Sequence, residues 1–152
     1  ESYPDLRICT LDEYLDICKQ YNMMPVIELK GANNTEHYDE IVASVNEKGL
    51  ADTVVYISFH LENLKEMRKL TEAPLYYLAS VIDDQAIEDA LSLGGKCGID
   101  FDGRKEENTK EIVQKCIDKE LLVGAWTIDK PEDLNRMLDW GVTLITTNAI
   151  RY

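Results

Sequence analysis

Basic residues are scarce in this chain. Sixteen lysines and arginines face 29 aspartates and glutamates, a formal net charge of −13 over 152 residues. A field of that sign repels phosphate backbones and anionic membrane surfaces, which argues against a sequence-independent nucleic-acid binder. The acidic residues are spread along the helical segments and belong to solvated faces rather than to an acidic tail. Closely spaced cysteine pairs are also missing. The four cysteines, at positions 9, 18, 97 and 116, have neither zinc-knuckle nor redox spacing. They read as small buried hydrophobes kept reduced in a cytosol. No run of eighteen apolar residues and no signal-like leader occurs, so no membrane span is expected and the location expected is cytoplasmic. The chain opens on Glu1 rather than methionine, which leaves room for a leader or a longer segment upstream. No linker-like stretch divides residues 1–152, which are read as one α/β unit.

What is present is a steady alternation of two patterns. Thr10-Leu11-Asp12-Glu13 is a capping box that opens a helix, with Leu11, Tyr14, Leu15 and Cys18 on one face. Thr35, Asp83 and Thr109 are further N-cap candidates. Pro131 stands at a first helical position with Glu132 and Asp133 behind it, and Gly49 and Gly141 mark helix ends. Between the helices lie strand-like runs at 25–30, 53–59, 75–79, 97–101, 122–128 and 142–147. Thr53-Val54-Val55-Tyr56-Ile57 is apolar on both faces, the mark of a parallel strand covered on both sides.

Two α/β architectures compete for six strands alternating with six helices. A doubly wound sheet normally carries a glycine-rich phosphate turn after an early strand, and none is present. A barrel fits better, because residues with chemistry recur at strand carboxyl ends: Glu28 and Lys30, then Ser58, Phe59 and His60, then Asp100 and Asp102, then Trp126 and Thr127. Eight β/α units normally need about 250 residues. The expected fold is therefore an incomplete TIM-type barrel, about six of its eight parallel strands present.

Residues 25–30 carry the sharpest signal. Pro25, Val26, Ile27 and Leu29 have the bulk of a buried strand, while Glu28 and Lys30 share one of its sides, since side chains alternate with period two. Inside a closed barrel a lone charge is costly unless it binds a metal or an anion. The competing reading is an exposed ion pair on an edge strand.

Several stretches resemble the glycerophosphodiester phosphodiesterase family, in family order. They are Thr10-Leu11-Asp12-Glu13-Tyr14-Leu15, Val26-Ile27-Glu28-Leu29-Lys30, Val55-Tyr56-Ile57-Ser58-Phe59, Gly124-Ala125-Trp126-Thr127-Ile128 and Gly141-Val142-Thr143-Leu144-Ile145-Thr146-Thr147-Asn148. The resemblance implies the carboxyl-terminal part of a (β/α)8 barrel that hydrolyses glycerophosphodiesters to glycerol 3-phosphate and an alcohol with a divalent cation, Mg²⁺ or Ca²⁺. Glu28 would be a metal-binding carboxylate and Lys30 a contact to the substrate phosphate. Trp126 and Phe59 would wall the substrate pocket, against a competing reading of ordinary packing.

No catalytic residue can be assigned. The family's His-Arg-Gly, Glu-x-Asp and second His-Asp motifs do not occur, and Thr143-Leu144 stands in place of the usual Asp-Gly. His60 and His37 match neither family histidine and read as a helix-start and a solvated residue. Asp100 and Asp102 could offer oxygens to a cation, or form a turn before Gly103. Ser58 could simply bond nearby backbone. The cation is thus expected to bind weakly or not at all, and the isolated chain to be inactive. The alternative is a non-catalytic remnant or assembly module that binds a phosphorylated small molecule. Edge strands 25–30 and 142–147 predict a homo-oligomer, or pairing with a complementary amino-terminal fragment.

Overall fold

A computed structural model describes residues 7–150 of the chain; residues 1–6 and 151–152 of the expected 1–152 unit lie outside the described residues. Helices and strands alternate as expected: α1 (Leu11–Gln20), β1 (Val26–Glu28), α2 (Tyr38–Lys48), β2 (Val55–Ser58), α3 (Leu61–Arg68), β3 (Leu75–Ala79), α4 (Asp84–Leu91), β4 (Cys97–Asp102), α5 (Lys110–Asp118), β5 (Leu122–Trp126), α6 (Pro131–Asp139) and β6 (Leu144–Ile145). The strands form one sheet in chain order, every neighbouring pair parallel. Helices α2 to α6 are each the crossover that returns the chain to the start of the next strand, and α1 leads into β1. The sheet curls into an incomplete barrel, as the six-strand reading requires.

Local chemistry sets the helix starts. The hydroxyl of Thr10 accepts the Glu13 N–H (3.3 Å), and the Glu13 carboxylate accepts the Thr10 N–H (2.9 Å), closing the capping box. Asp83 accepts the Ala86 N–H at 2.7 Å, and Pro131 holds the first position of α6. Thr35 is not a cap. A tight turn in which the Tyr38 N–H donates to the Thr35 carbonyl (3.3 Å) delays the helix, so His37 takes the N-cap position without a side-chain bond. Thr109 occupies the α5 N-cap but its side chain makes no capping bond. The expected strand 142–147 is regular only over Leu144–Ile145, although the Thr143 and Thr146 N–H groups still donate to the Val123 and Ala125 carbonyls of β5 (3.0 and 2.9 Å). Just beyond it Asp129 accepts from the Asn148 N–H (2.7 Å) and the Thr147 hydroxyl (3.3 Å).

The two faces of the sheet bury different things. Tyr56, Leu75, Ile99, Phe101, Val123 and Ala125 point toward the helices and join Leu15, Val45, Leu64, Met67, Ile87, Val113 and Met137 in one continuous core. Val55, Tyr76 and Leu78 are equally buried but lie outside that cluster, on the inner face. Strand alternation therefore places Glu28, Ile57, Tyr76, Asp100 and Trp126 on the barrel-interior side. Gly98 lets β4 and β5 approach on that side: a Cβ there would stand 2.5 Å from the Leu122 carbonyl oxygen and 2.9 Å from the Tyr76 ring. All four cysteines are free. Cys18, Cys97 and Cys116 are buried, as expected, and burial pushes the Cys116 thiol up to about 11. Cys9 departs from the expectation: it precedes α1 and is exposed.

Candidate functional site

The carboxyl ends of the strands frame a cavity of about 290 Å³ on the inner face. Glu28, Lys30, Ile57, Phe59, Leu78, Asp100, Trp126, Thr127 and Thr146 line it. All four residues singled out from the sequence, Glu28, Lys30, Phe59 and Trp126, thus meet at one place. A larger hollow of about 810 Å³ lies between the starts of α5 and α6 and is lined by charges of both signs, among them Lys110, Lys130, Glu111 and Asp133. It holds none of the four, so the smaller cavity is the candidate site.

Glu28 and Lys30 form an ion pair at 3.4 Å at the carboxyl end of β1, which has a single strand neighbour among the described residues. The Lys30 side chain is 77% exposed and that of Glu28 32%. As a stabilising element such a pair is worth about 0–1 kcal/mol. The sequence left open a buried charge pair or an edge-strand ion pair; on these described residues it is an edge pair that also faces the cavity. The backbone that carries Lys30 is held on both sides. The Leu29 carbonyl accepts from the Ser58 hydroxyl (2.7 Å) and the Asn63 amide (3.4 Å), and the Gly31 carbonyl accepts from the same amide (2.8 Å). Ser58 is therefore a backbone-bonding residue, its hydroxyl also accepting the His60 N–H at 3.1 Å. Asn63, fully buried on α3, was not legible as a site residue, because its partners lie more than thirty positions upstream.

Phe59 is 46% exposed and sits at the cavity rather than in the core. Its ring packs edge-on against Trp126, centroids 5.7 Å apart at 77°. The Trp126 indole donates to the Asp100 carbonyl at 3.2 Å, and the Arg104 guanidinium lies 5.8 Å from the Trp126 ring centre. Arg104 also grips both oxygens of Asp102 at 2.8 Å, and that pairing holds the Asp102 carboxyl below its ordinary range. Asp102 further accepts the Arg104 N–H (3.1 Å), so the turn reading applies to it.

Asp100 has a different setting. It is 1% exposed, neither carboxyl oxygen has a hydrogen-bond partner among the described residues, and burial pushes it up to about 7. Gly124 on β5 supplies the room: a Cβ there would lie 2.8 Å from the Asp100 Oδ1. The two aspartates that the sequence placed side by side are thus separated in role, one tied to Arg104 and one directed into the cavity.

Neither histidine lines the cavity. His37 begins α2 beside Glu40 (3.2 Å), and His60 begins α3. Among the described residues no group of three or more His, Cys, Asp or Glu side chains could hold a metal ion. Glu28 is one carboxylate where a divalent cation takes about six or more oxygen ligands. The described donor set does not fit a tightly held cation.

Comparison with known proteins decides the family. The model of the "glycerophosphoryl diester phosphodiesterase family" matches residues 1–151. The chain belongs to this family. A glycerophosphodiester phosphodiesterase of Bacillus subtilis (strain 168) is 28% identical over 160 aligned positions, covering 96% of this chain and 53% of the relative. Among solved structures, a glycerophosphodiester phosphodiesterase from Parabacteroides distasonis superposes with a TM-score of 0.74 at 27% identity, covering 91% of this chain and 59% of that one. An Oleispira antarctica phosphodiesterase, solved with the product sn-glycerol-3-phosphate, has a TM-score of 0.73 at 21% identity over 91% of this chain and 56% of its own. The chain spans about half the length of the curated relative it matches. The family match and the curled six-strand sheet agree: this is part of a phosphodiesterase-type barrel. No helix of the described residues is long and apolar enough to cross a membrane.

Proposed function

We propose that this chain supplies the carboxyl-terminal part of a glycerophosphodiester phosphodiesterase barrel, and that alone it binds a phosphate ester without turning it over. The reaction served is metal-assisted hydrolysis of a glycerophosphodiester to glycerol 3-phosphate and an alcohol. The observation that carries this reading is the convergence of Glu28, Lys30, Phe59 and Trp126 on one cavity in a chain of this family. Lys30 offers a mobile point charge to a phosphate, and the edge-on pair Phe59 and Trp126 offers an apolar wall to the rest of the ligand. Glu28 contributes one oxygen ligand to a weakly held Mg²⁺ or Ca²⁺, whose other ligands come from outside the described residues.

A second, non-catalytic reading is favoured by one observation: both histidines lie away from the cavity. Each missing acid or base group lowers the rate by about a hundredfold to ten-thousandfold. On this reading the chain is a phosphate-ester-binding or assembly module. Calorimetry with sn-glycerol 3-phosphate and hydrolysis of glycerophosphocholine test both readings together. The expected result is weak binding, abolished in Lys30→Ala, with turnover at background. Turnover by the pure chain that disappears in Lys30→Ala contradicts the proposed inactivity. Absence of binding, with Lys30→Ala unchanged, removes the phosphate site altogether.

A further inference from the structure

The most unusual group in the molecule is one that the proposed roles leave unused. The Asp100 carboxyl lies at the inner end of the cavity, 1% exposed, with two oxygens and no donor for either among the described residues. Leaving such a group buried without a partner is costly even when it is neutral, and more so when it is charged. Apolar packing would remove that penalty, since Leu78 flanks Asp100 on β3 and Phe101 next to it is well buried. The neighbouring strand makes space for it instead, with Gly124 where any side chain would strike the Asp100 Oδ1. The backbone beside it is also held, the Trp126 indole donating to the Asp100 carbonyl.

We propose that Asp100 is a ligand-binding residue that takes a hydroxyl group of a polyol phosphate at the inner end of the cavity, and so selects hydroxylated esters over plain alkyl ones. The proposal rests on the phosphate-ester reading given above and deepens it. A volume of about 290 Å³ is at the lower end of small-molecule sites, which run to about 1,000 Å³, and suits a compact ester rather than a bulky one. Lys30 stands just past the end of β1 and Asp100 on β4, so the cavity offers a cation to the phosphate and a carboxyl to the other end of the ligand. A hydroxyl both donates and accepts, and it satisfies a carboxyl in either protonation state. Discrimination follows from what happens without it. An alkyl ester leaves the buried carboxyl unpaired, and sites built to bond a hydroxyl reject analogues that lack it far more strongly than apolar pockets reject size changes.

The test compares sn-glycerol 3-phosphate with ethyl phosphate by calorimetry, magnesium being present throughout, for the wild-type chain, Asp100→Ala, Asp100→Asn and Lys30→Ala. The wild type is expected to prefer the glycerol ester. Asp100→Ala should bind that ester about ten- to a hundredfold more weakly and ethyl phosphate unchanged, which erases the preference. Lys30→Ala should weaken both esters alike. Thermal melting supplies a readout that a merely structural residue would move the other way: removing the unpaired carboxyl should leave the midpoint unchanged or raised. Asp100→Asn keeps the shape, carries the test if the alanine variant does not fold, and should fall between wild type and Asp100→Ala. Variants that match wild type on both esters, or lose both equally, overturn the proposal, as does an Asp100→Asn chain that cannot fold. A wild type that binds both esters without preference overturns this proposal alone. A wild type that binds neither overturns it together with the phosphate-ester reading.

Discussion

Replacing Asp100 by asparagine should change how stability depends on pH, and the structure sets the size of the effect. The carboxyl has an ordinary value of 3.8 and is pushed up to about 7 by burial. Below 3.8 it is protonated in both folded and unfolded chains and adds no pH dependence. As the pH rises above 3.8 the unfolded chain releases this proton while the folded chain retains it, so stability falls until the folded group also ionises near pH 7. A gap of about three pH units at about 1.4 kcal/mol each amounts to about 4 kcal/mol lost between pH 4 and pH 7.5. The charged and titratable groups around it, Tyr76 on β3, Glu28 on β1, Lys30 just beyond it and the Asp102–Arg104 pair, are common to both proteins and cancel in the comparison. Asparagine leaves amide hydrogens unpaired at a cost of about 1–3 kcal/mol, which displaces its curve without tilting it. Urea unfolding followed by the fluorescence of Trp126 and Trp140, repeated at several pH values, gives both curves. The expected outcome is that Asp100→Asn gains on the wild type steadily from pH 4 to pH 7.5, by up to about 4 kcal/mol. Parallel curves would refute the reasoning and show that water or a donor already reaches the carboxyl.

Three other outcomes are expected. Gly98→Ala should destabilise the chain by about 1–3 kcal/mol in the same unfolding assay, because its Cβ meets the Leu122 carbonyl backbone rather than a movable side chain. Asn63→Ala should lose about 1–3 kcal/mol and speed amide hydrogen exchange around β1 and residues 29–31, where the Leu29 and Gly31 carbonyls lose their buried donor. Light scattering at high micromolar concentration should detect a dimer or larger species. β1 and β6 each have one strand neighbour among the described residues, and unpaired parallel edges are templates for association. A cooperative, strictly monomeric chain would exclude that proposal.

Much of the fold was legible in the residues because it rests on local rules. Alternating helical and strand periods, the Thr10–Glu13 box, the Asp83 cap and Pro131 each act within a turn or two of chain, and all appear where the pattern placed them. Six parallel strands in chain order followed, since short helical crossovers leave few other topologies. Local rules failed at two element ends. Thr35 lost its cap to a turn that closes on Tyr38, and past β6 Asp129 holds Thr147 and Asn148 away from a regular strand.

The site divides in the same way. Glu28, Lys30, Phe59 and Trp126 were readable because each stands at a strand's carboxyl end, and in a parallel sheet those ends share one rim. Which aspartate faces the cavity was not readable. Asp100 and Asp102 lie on the same side of the same strand, and their sequence surroundings barely differ. Arg104 neutralises one from two residues away, whereas Gly124, contributed by the next strand, opens the space that the other fills. Asn63 was hidden for the same reason, its acceptors lying on another β/α unit. The amino-acid sequence alone determined the element types, their order and the rim on which chemistry collects, because backbone propensity and side-chain alternation act over a few residues. Burial, pairing and the resulting charge state of each carboxyl depend on what neighbouring strands bring within a few ångströms, and only the tertiary structure decided them.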